Sequence, residues 1–213
     1  CYAYLVDVSR DTFLREIQDN GPGDEMAVSA TLCKSRWFTR GWTLQELLAP
    51  SNVVFYDKDW LEIGTRTSLA ELVSLITMIP TPVLKGDQDL KSCTIAQRMS
   101  WAAERRTTRA EDLAYCLMGI FGVGMPTLYG EGAIRAFIRL QEEIIKYNDD
   151  GTIFAWKASS NNSNNQERGL LAWSPSEFID SGKITAVQGW QKYLAPSSDH
   201  TMTNRGLRIT LVI

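Results

Sequence analysis

Two β-branched, aromatic runs separated by a helical pattern organise the first part of the chain. Residues 1–8 predict a buried strand, with Asp7 near its C-terminal end, and residues 53–56 predict a second strand. Between them, residues 37–48 have the spacing of a short helix, and Pro50 follows as a helix stop. A strand, a connection that contains a helix and another strand form the pattern of a crossover between parallel strands.

Helical patterns dominate the middle of the chain. Residues 68–79 suit a helix whose first residue, a serine, acts as N-cap, and residues 94–105 suit an amphipathic helix. Residues 108–111, Thr-Arg-Ala-Glu, have the form of a capping box that opens an apolar central helix over 113–121. Residues 131–146 predict a further amphipathic helix. These elements together favour the α/β fold class.

The character of the sequence changes near residue 150. Residues 158–168 are polar and of low complexity and predict a loop. Short β-like runs replace helices beyond it: 184–187, 190–194 and 207–213. We therefore expect a main domain over residues 1–157, the polar loop, and a β-rich C-terminal extension over 169–213. Because both ends fall within strand-like runs, we expect the chain to be a fragment of a larger protein.

Composition and charge exclude several classes of partner and site. A net charge of −3 gives no field that attracts nucleic acid or an anionic membrane, and the apolar runs are too short to span a bilayer. The four cysteines are widely scattered, and His200 is the one histidine, so the sequence predicts no metal site. Scattered cysteines are typical of a reducing setting, and we expect a cytoplasmic location.

Trp42 and Glu46 are the strongest candidates for chemistry. They are four positions apart on the predicted helix and so project from the same face. An indole beside a carboxylate can form a pocket in which a flat cationic ring stacks while the acid holds an attached sugar. The alternative is packing, with Trp37 and Trp42 in the core and Glu46 solvated or paired with Arg36 or Arg40.

Three further features have both a ligand-binding and a structural interpretation. Asp7 lies where open α/β sheets gather ligands, and an ordinary turn residue is found there too. A basic cluster near the central helix can bind a phosphate or can pair with acidic neighbours on a solvated face. The cluster consists of Arg98, Arg105, Arg106 and Arg109. Residues 130–132, Gly-Glu-Gly, can approach an anion or form a tight turn.

Five motifs occur in order along the chain: residues 35–50, 96–103, 106–121, 125–132 and 137–144. Together they resemble the fungal heterokaryon incompatibility (HET) domain of the vegetative-incompatibility type, most strongly over residues 1–157. The resemblance implies a TIR-like, flavodoxin-like parallel sheet with helical insertions, partial here because the family's first strand would precede Cys1. It also implies a role, since HET domains trigger cell death when genetically different fungal cells fuse.

The resemblance also implies roles for single residues. Some TIR domains cleave NAD and carry their catalytic glutamate in a Trp-Cys-x-x-Glu motif. Residues 42–46 here are similar, with Thr43 in place of the cysteine, so the resemblance implies Glu46 as the catalytic residue. NAD is then the candidate substrate, without a permanently bound cofactor. The residues expected to contact the nucleotide are Trp42, Trp37, Asp7 and Arg109.

Two functions remain open at this point. The first is a death-effector domain that hydrolyses NAD after non-self recognition. The second is a non-enzymatic module that acts by self-association or partner binding, through aromatic residues such as Trp60, Trp173 and Trp190. The resemblance further implies nucleotide-binding and repeat modules on the same parent chain as partners, without nucleic acid or a membrane.

Overall fold

A computed structural model describes residues 1–20, 30–158, 168–185, 201–203 and 206–208. The chain divides into two compact units. Unit 1 comprises residues 1–92 and 105–107, and unit 2 comprises residues 93–104 and 108–213.

A small mixed sheet is the centre of unit 1. Strands β1 (Tyr2–Tyr4) and β2 (Val54–Tyr56) are parallel, with Ala3 opposite Phe55, which confirms the predicted crossover. Strand β3 (Glu62–Thr65) was not predicted, and it pairs antiparallel to β2 in the order β1-β2-β3. The described sheet is therefore mixed rather than purely parallel. β1 is also shorter than the predicted run 1–8.

Short helices surround this sheet in unit 1. Their bounds are α1 (Arg10–Asn20), α2 (Ala30–Cys33), α3 (Thr43–Leu48), α4 (Ala70–Thr77) and α5 (Thr81–Lys85), with 3₁₀ turns at Arg36–Thr39 and Leu90–Ser92. Phe38, Leu44, Leu47 and Phe55 are buried and form the core between the helices and the sheet. Burial of these apolar side chains is the main source of stability here.

The helix predicted over residues 37–48 is wrong as a single element. The structure divides it into the 3₁₀ turn and α3, because Arg40 is extended and forms a parallel bridge with Arg106. The Arg106 N–H donates to the carbonyl of Thr39 (2.7 Å), and the Gly41 N–H donates to that of Arg106 (2.8 Å). Backbone groups paired with a distant segment cannot also close a helical turn.

The described part of unit 2 consists mainly of helices. They are α6 (Ile95–Ser100), α7 (Asp112–Tyr115), α8 (Met118–Phe121) and α9 (Ala133–Tyr147), with 3₁₀ helices at Gly151–Phe154 and Pro175–Lys183. α9 confirms the helix predicted over residues 131–146. The single central helix over 113–121 is wrong, because the chain turns at Cys116 and Leu117 between α7 and α8. α6 is shorter than predicted and ends at Ser100.

The caps of the helices differ from the predicted ones. Thr94 forms a capping box with Gln97, whereas Thr108 caps nothing and α7 begins from Glu111 without a side-chain cap. Ser68 was the expected cap of α4, but its hydroxyl accepts from the Thr65 N–H (2.8 Å), and α4 begins two residues later. A side-chain oxygen that stabilises the preceding turn is not available to the helix.

The C-terminal region is described in part. Strands β4 (Thr201–Thr203) and β5 (Gly206–Arg208) pair antiparallel, and β5 agrees with the start of the β-like run at 207–213. The run at 190–194 lies outside the described residues. Of the run at 184–187, residues 184 and 185 are described and do not belong to a strand. In the described part of the chain, no helix has the length and apolar character needed to cross a membrane.

Candidate functional site

Trp42 and Glu46 lie one turn apart on the outside of α3. The Glu46 N–H donates to the Trp42 carbonyl (3.3 Å), which places both side chains on one face as predicted. The Trp42 side chain is 40% exposed, and Glu46 is exposed as well. Glu46 belongs to the first turn of α3, where the helix dipole favours a negative charge. The pair thus presents an indole and a carboxylate to solvent from one short helix.

The N-terminal end of α3 is held by buried polar groups. The Thr43 hydroxyl donates to the carbonyls of Trp37 and Arg40 and accepts from Arg105 Nη1 (3.0 Å). Arg105, only 6% exposed, also donates to the Arg40 carbonyl (2.9 Å). Thr43, which stands in place of the cysteine of the TIR-type motif, therefore fixes the backbone at the start of α3, three residues before Glu46.

A second buried arginine, Arg66, holds the C-terminal end of α3. Its Nη1 donates to the carbonyls of Leu47 (2.7 Å) and Leu48 (3.4 Å), and its Nη2 donates to that of Ser51 (3.0 Å). These carbonyls would otherwise lack partners at the end of the helix. Burial lowers the pKa of Arg66, which nevertheless stays charged at neutral pH. Arginines at both ends thus fix the helix that carries Trp42 and Glu46.

Trp37 lies in the core rather than at the surface. Its ring is 7% exposed and makes edge-to-face contacts with Phe38 (5.1 Å between centroids) and Phe55 (5.5 Å). Those contacts bury the indole among aromatic side chains. The structure therefore gives Trp37 a packing role and leaves Trp42 as the exposed indole of the pair.

Asp7 follows β1 and anchors the 3₁₀ turn that precedes α3. Its carboxylate accepts from the Ser35 hydroxyl (2.7 Å) and the Arg36 N–H (2.8 Å), and Arg36 Nε lies 3.6 Å away. Partial burial would raise the pKa of Asp7, but these hydrogen bonds outweigh it and lower the pKa. Much of the hydrogen-bonding capacity of this carboxylate is therefore used within unit 1.

Arg109 belongs to unit 2, whereas the other four candidates belong to unit 1. Its guanidinium stacks over the ring of Tyr129, 4.3 Å from the centroid, and the Tyr129 hydroxyl donates to Asp112 Oδ1 (3.0 Å). This hydrogen bond to a carboxylate raises the pKa of Tyr129. Arg109 is exposed at the surface of unit 2.

The predicted basic cluster does not form one exposed face. Arg98 is 4% exposed, donates to the Ile120 carbonyl (3.1 Å) and lies over the ring of Phe121. Arg105 is buried below α3, so only Arg106 and Arg109 are exposed. Buried guanidinium groups that bind carbonyls serve the fold, because a buried charge needs such partners.

The Gly-Glu-Gly segment at 130–132 binds an anion that belongs to the chain itself. The Glu111 carboxylate accepts from the N–H groups of Gly130 (2.9 Å) and Gly132 (3.1 Å). The pKa of Glu111 is lowered by its own backbone N–H and by these two glycines. Glu131, inside the segment, instead accepts from the Tyr115 hydroxyl (2.8 Å) and pairs with Arg139.

Arg66 and Arg105 hold α3 in roles that were not predicted from the sequence. An arginine outside any recognised motif gives no signal that it is buried, since arginines are mostly exposed. Arg105 was assigned to the basic cluster because of its neighbours in sequence. Among the described residues, His, Cys, Asp and Glu side chains form no group that could hold a metal ion.

The structure is that of a mixed α/β protein with an exposed indole–carboxylate pair on a short helix. Comparison with known proteins relates this protein to heterokaryon incompatibility proteins. The chain is similar to "Vegetative incompatibility protein HET-E-1" of Podospora anserina, with 44% identity over 153 residues, or 72% of this chain. The match covers 10% of that relative's length. Residues 135–169 match the family described as "Domain of unknown function (DUF8212)". No solved structure matches the chain, so the TIR-like, flavodoxin-like fold stays a prediction.

Proposed function

We propose that this chain acts in fungal vegetative incompatibility and triggers cell death after non-self recognition. The observation that carries the proposal is the 44% identity over 153 residues to a vegetative incompatibility protein. Identity at this level over most of the chain indicates a shared fold and supports a shared role. The proposed location is the cytoplasm, and the proposed partners are other copies of the chain and nucleotide-binding and repeat modules of the same parent protein.

Inducible expression of the full-length gene product in a fungal host tests this role. We expect growth arrest and loss of membrane integrity within hours of induction, measured by viability staining. A catalytically neutral change such as Glu62→Gln, an exposed glutamate of β3, should leave killing intact. Normal growth at a protein level confirmed by immunoblot would contradict the role.

We propose hydrolysis of NAD as the killing reaction. Water adds to the anomeric carbon of the ribose that carries nicotinamide, while the bond from this carbon to the nicotinamide nitrogen breaks. The products are nicotinamide, ADP-ribose and a proton. In NAD the nicotinamide ring is cationic, and it leaves as neutral nicotinamide without a general acid. One carboxylate is therefore sufficient to stabilise the oxocarbenium-like transition state. This chemistry differs from the two carboxylates usual in glycosidases.

Within this proposal, Glu46 holds the ribose and stabilises its developing charge, and Trp42 stacks on the nicotinamide ring. The exposure of both side chains and their position on one face of α3 support this assignment. The arginines at the two ends of α3 support it further, since a reacting group must be held in place before substrate arrives. Asp7, whose side chain is 27% exposed, is proposed to contact the nucleotide. A nucleotide contact by Arg109 stays a prediction from the resemblance.

An aromatic surface on unit 1 favours a second function, non-enzymatic assembly. Trp60 is 61% exposed and stacks on Tyr4 at 4.7 Å, and Tyr2 is 72% exposed beside Tyr56. Trp60 has a φ of 60°, which a bulky residue rarely adopts. This aromatic surface flanks β1, an edge strand of the described sheet, and edge strands readily pair with another chain.

The effect of the Glu46→Gln substitution on cell killing and on cellular NAD distinguishes the two functions. The enzymatic function predicts that this variant, folded and equally abundant, neither lowers cellular NAD nor stops growth. Undiminished killing at constant NAD would reject the enzyme and leave the assembly function, in which the aromatic surface rather than α3 is required.

A further inference from the structure

The guanidinium of Arg168 lies over two indole rings in unit 2. Its central carbon is 4.1 Å from the ring centroid of Trp173 and 5.3 Å from that of Trp156. The Glu177 carboxylate, only 4% exposed, completes the site and forms an ion pair with Arg168 Nη2. Two aromatic faces and a buried carboxylate are the elements from which proteins build sites for organic cations. We refer to Trp156, Trp173 and Glu177 as the cation cage.

The walls of the cation cage are fixed by bonds that do not involve Arg168. Glu177 Oε2 accepts from the Trp173 N–H (2.8 Å), and the Glu177 carbonyl accepts from the Lys157 N–H (2.9 Å). The indole N–H of Trp156 donates to the Leu170 carbonyl (2.9 Å). Glu177 also lies in the 3₁₀ helix Pro175–Lys183. The cage is therefore held by its own backbone and side-chain contacts.

The cation cage satisfies only part of the hydrogen-bonding capacity of Arg168. Its Nε and Nη1 atoms are buried and have no hydrogen-bond partner among the residues that the structure describes. A guanidinium carries several N–H donors, and burying donors without acceptors is unfavourable. The ring faces and the single carboxylate provide charge stabilisation without the acceptors that a guanidinium requires. This combination suits a cation with few donors, such as an alkylated ammonium group.

We propose that the cation cage is an exchangeable binding site for an organic monocation, with Arg168 as its resident ligand. An alkylated ammonium group, either free or on the side chain of a peptide, binds against the indole faces of Trp156 and Trp173 and beside Glu177. Arg168 and the incoming cation exclude each other, so binding releases the Arg168 side chain from the cage. The site lies in unit 2 and is independent of the proposed chemistry at Glu46.

Choline and its uncharged isostere 3,3-dimethyl-1-butanol test the proposal on the full chain. Tryptophan fluorescence and the indole N–H signals in NMR spectra report the binding. We expect Arg168→Ala to bind choline about tenfold or more tightly than the wild type does, and to bind the isostere about tenfold more weakly than choline. In the Arg168→Ala background, Trp173→Leu should abolish choline binding and Glu177→Gln should weaken it.

Equal binding of choline and the isostere by Arg168→Ala would overturn the proposal, because it would show a merely apolar cavity. Absence of choline binding by the folded variant would overturn it as well. If Arg168→Ala does not fold, titration of the wild type decides: choline must shift the indole signals of Trp156 and Trp173 where the isostere does not. A short peptide with trimethyl-lysine forms a second arm, and tighter binding than choline indicates a side-chain ligand rather than a free cation.

Discussion

Asp57 lies at the end of β2, only 1% exposed, and remains charged. Its carboxylate accepts from the N–H groups of Arg10, Asp59 and Leu61, each at 2.9 Å. Burial would raise the pKa of Asp57, but the three N–H donors outweigh burial and lower it. The residue thus stabilises the turn after β2 and the start of α1 through its ionised form.

We expect Asp57→Asn to lower the free energy of unfolding by about 2 kcal/mol, because an amide is a weaker acceptor for three N–H groups. The folded pKa is lowered, so the contribution of Asp57 is complete above about pH 4 and is lost as pH falls through the folded pKa. Urea unfolding at neutral and acidic pH measures both effects. The control is Asp59→Asn, an exposed neighbour for which less than about 0.5 kcal/mol is expected. An equal loss at every pH would contradict this account.

Helix α3 is too short to be stable alone, since isolated helices of its length do not form in water. Its position depends on Arg66 at the carbonyl end and on Arg105 and Thr43 at the other end. Neither arginine was recognisable from sequence, whereas the helical spacing of Trp42 and Glu46 was. The pattern therefore predicted which residues share a face but not what holds that face in place.

Replacing Arg66 with methionine should destabilise unit 1 by about 2 kcal/mol, because three carbonyls lose a charged donor while the volume is largely kept. Thermal or urea unfolding followed by tryptophan fluorescence measures the change. Arg106→Met is the matched control, since the Arg106 side chain is exposed, and should have an effect below about 0.5 kcal/mol. Equal stability of the two variants would show that Arg66 does not hold α3.

Thr94 and Thr108 provide a paired test of helix capping. Thr94 accepts from the Gln97 N–H (3.2 Å) and its own N–H donates to Gln97 Oε1 (2.9 Å), whereas Thr108 has no capping bond. We expect Thr94→Ala to cost about 1 kcal/mol, and Thr108→Ala to cost less than about 0.5 kcal/mol. The order of the two unfolding midpoints checks this assignment, and a reversed order would refute it.

The sequence predicted the strands and helices of the molecule better than the positions at which predicted helices are interrupted. The crossover between β1 and β2 was predicted correctly from two strand-like runs separated by a helical pattern. The long helix α9 was predicted correctly from apolar residues at helical spacing. The break at Arg40 depends on pairing with a distant segment, the bridge to Arg106. Local patterns carry no information on such pairing, and the intramolecular use of Glu111 by the Gly-Glu-Gly segment was hidden for the same reason.

Self-association belongs to the whole molecule and depends on the aromatic surface of unit 1. We expect the double variant Tyr2→Ser and Trp60→Ser to shift the protein toward monomer, because it removes exposed apolar area beside an edge strand. Sedimentation equilibrium over a concentration series measures the shift. The control is Leu75→Ser, an exposed apolar residue on α4. An unchanged equilibrium would exclude this surface from assembly.

The most direct test of the proposed chemistry is release of nicotinamide from NAD by the purified full-length gene product. The account predicts equimolar nicotinamide and ADP-ribose from the wild type and from Glu62→Gln. It predicts a loss of about 100-fold or more for Glu46→Gln, with an unchanged unfolding midpoint. A Glu46→Gln protein that releases nicotinamide at the wild-type rate would contradict the catalytic assignment.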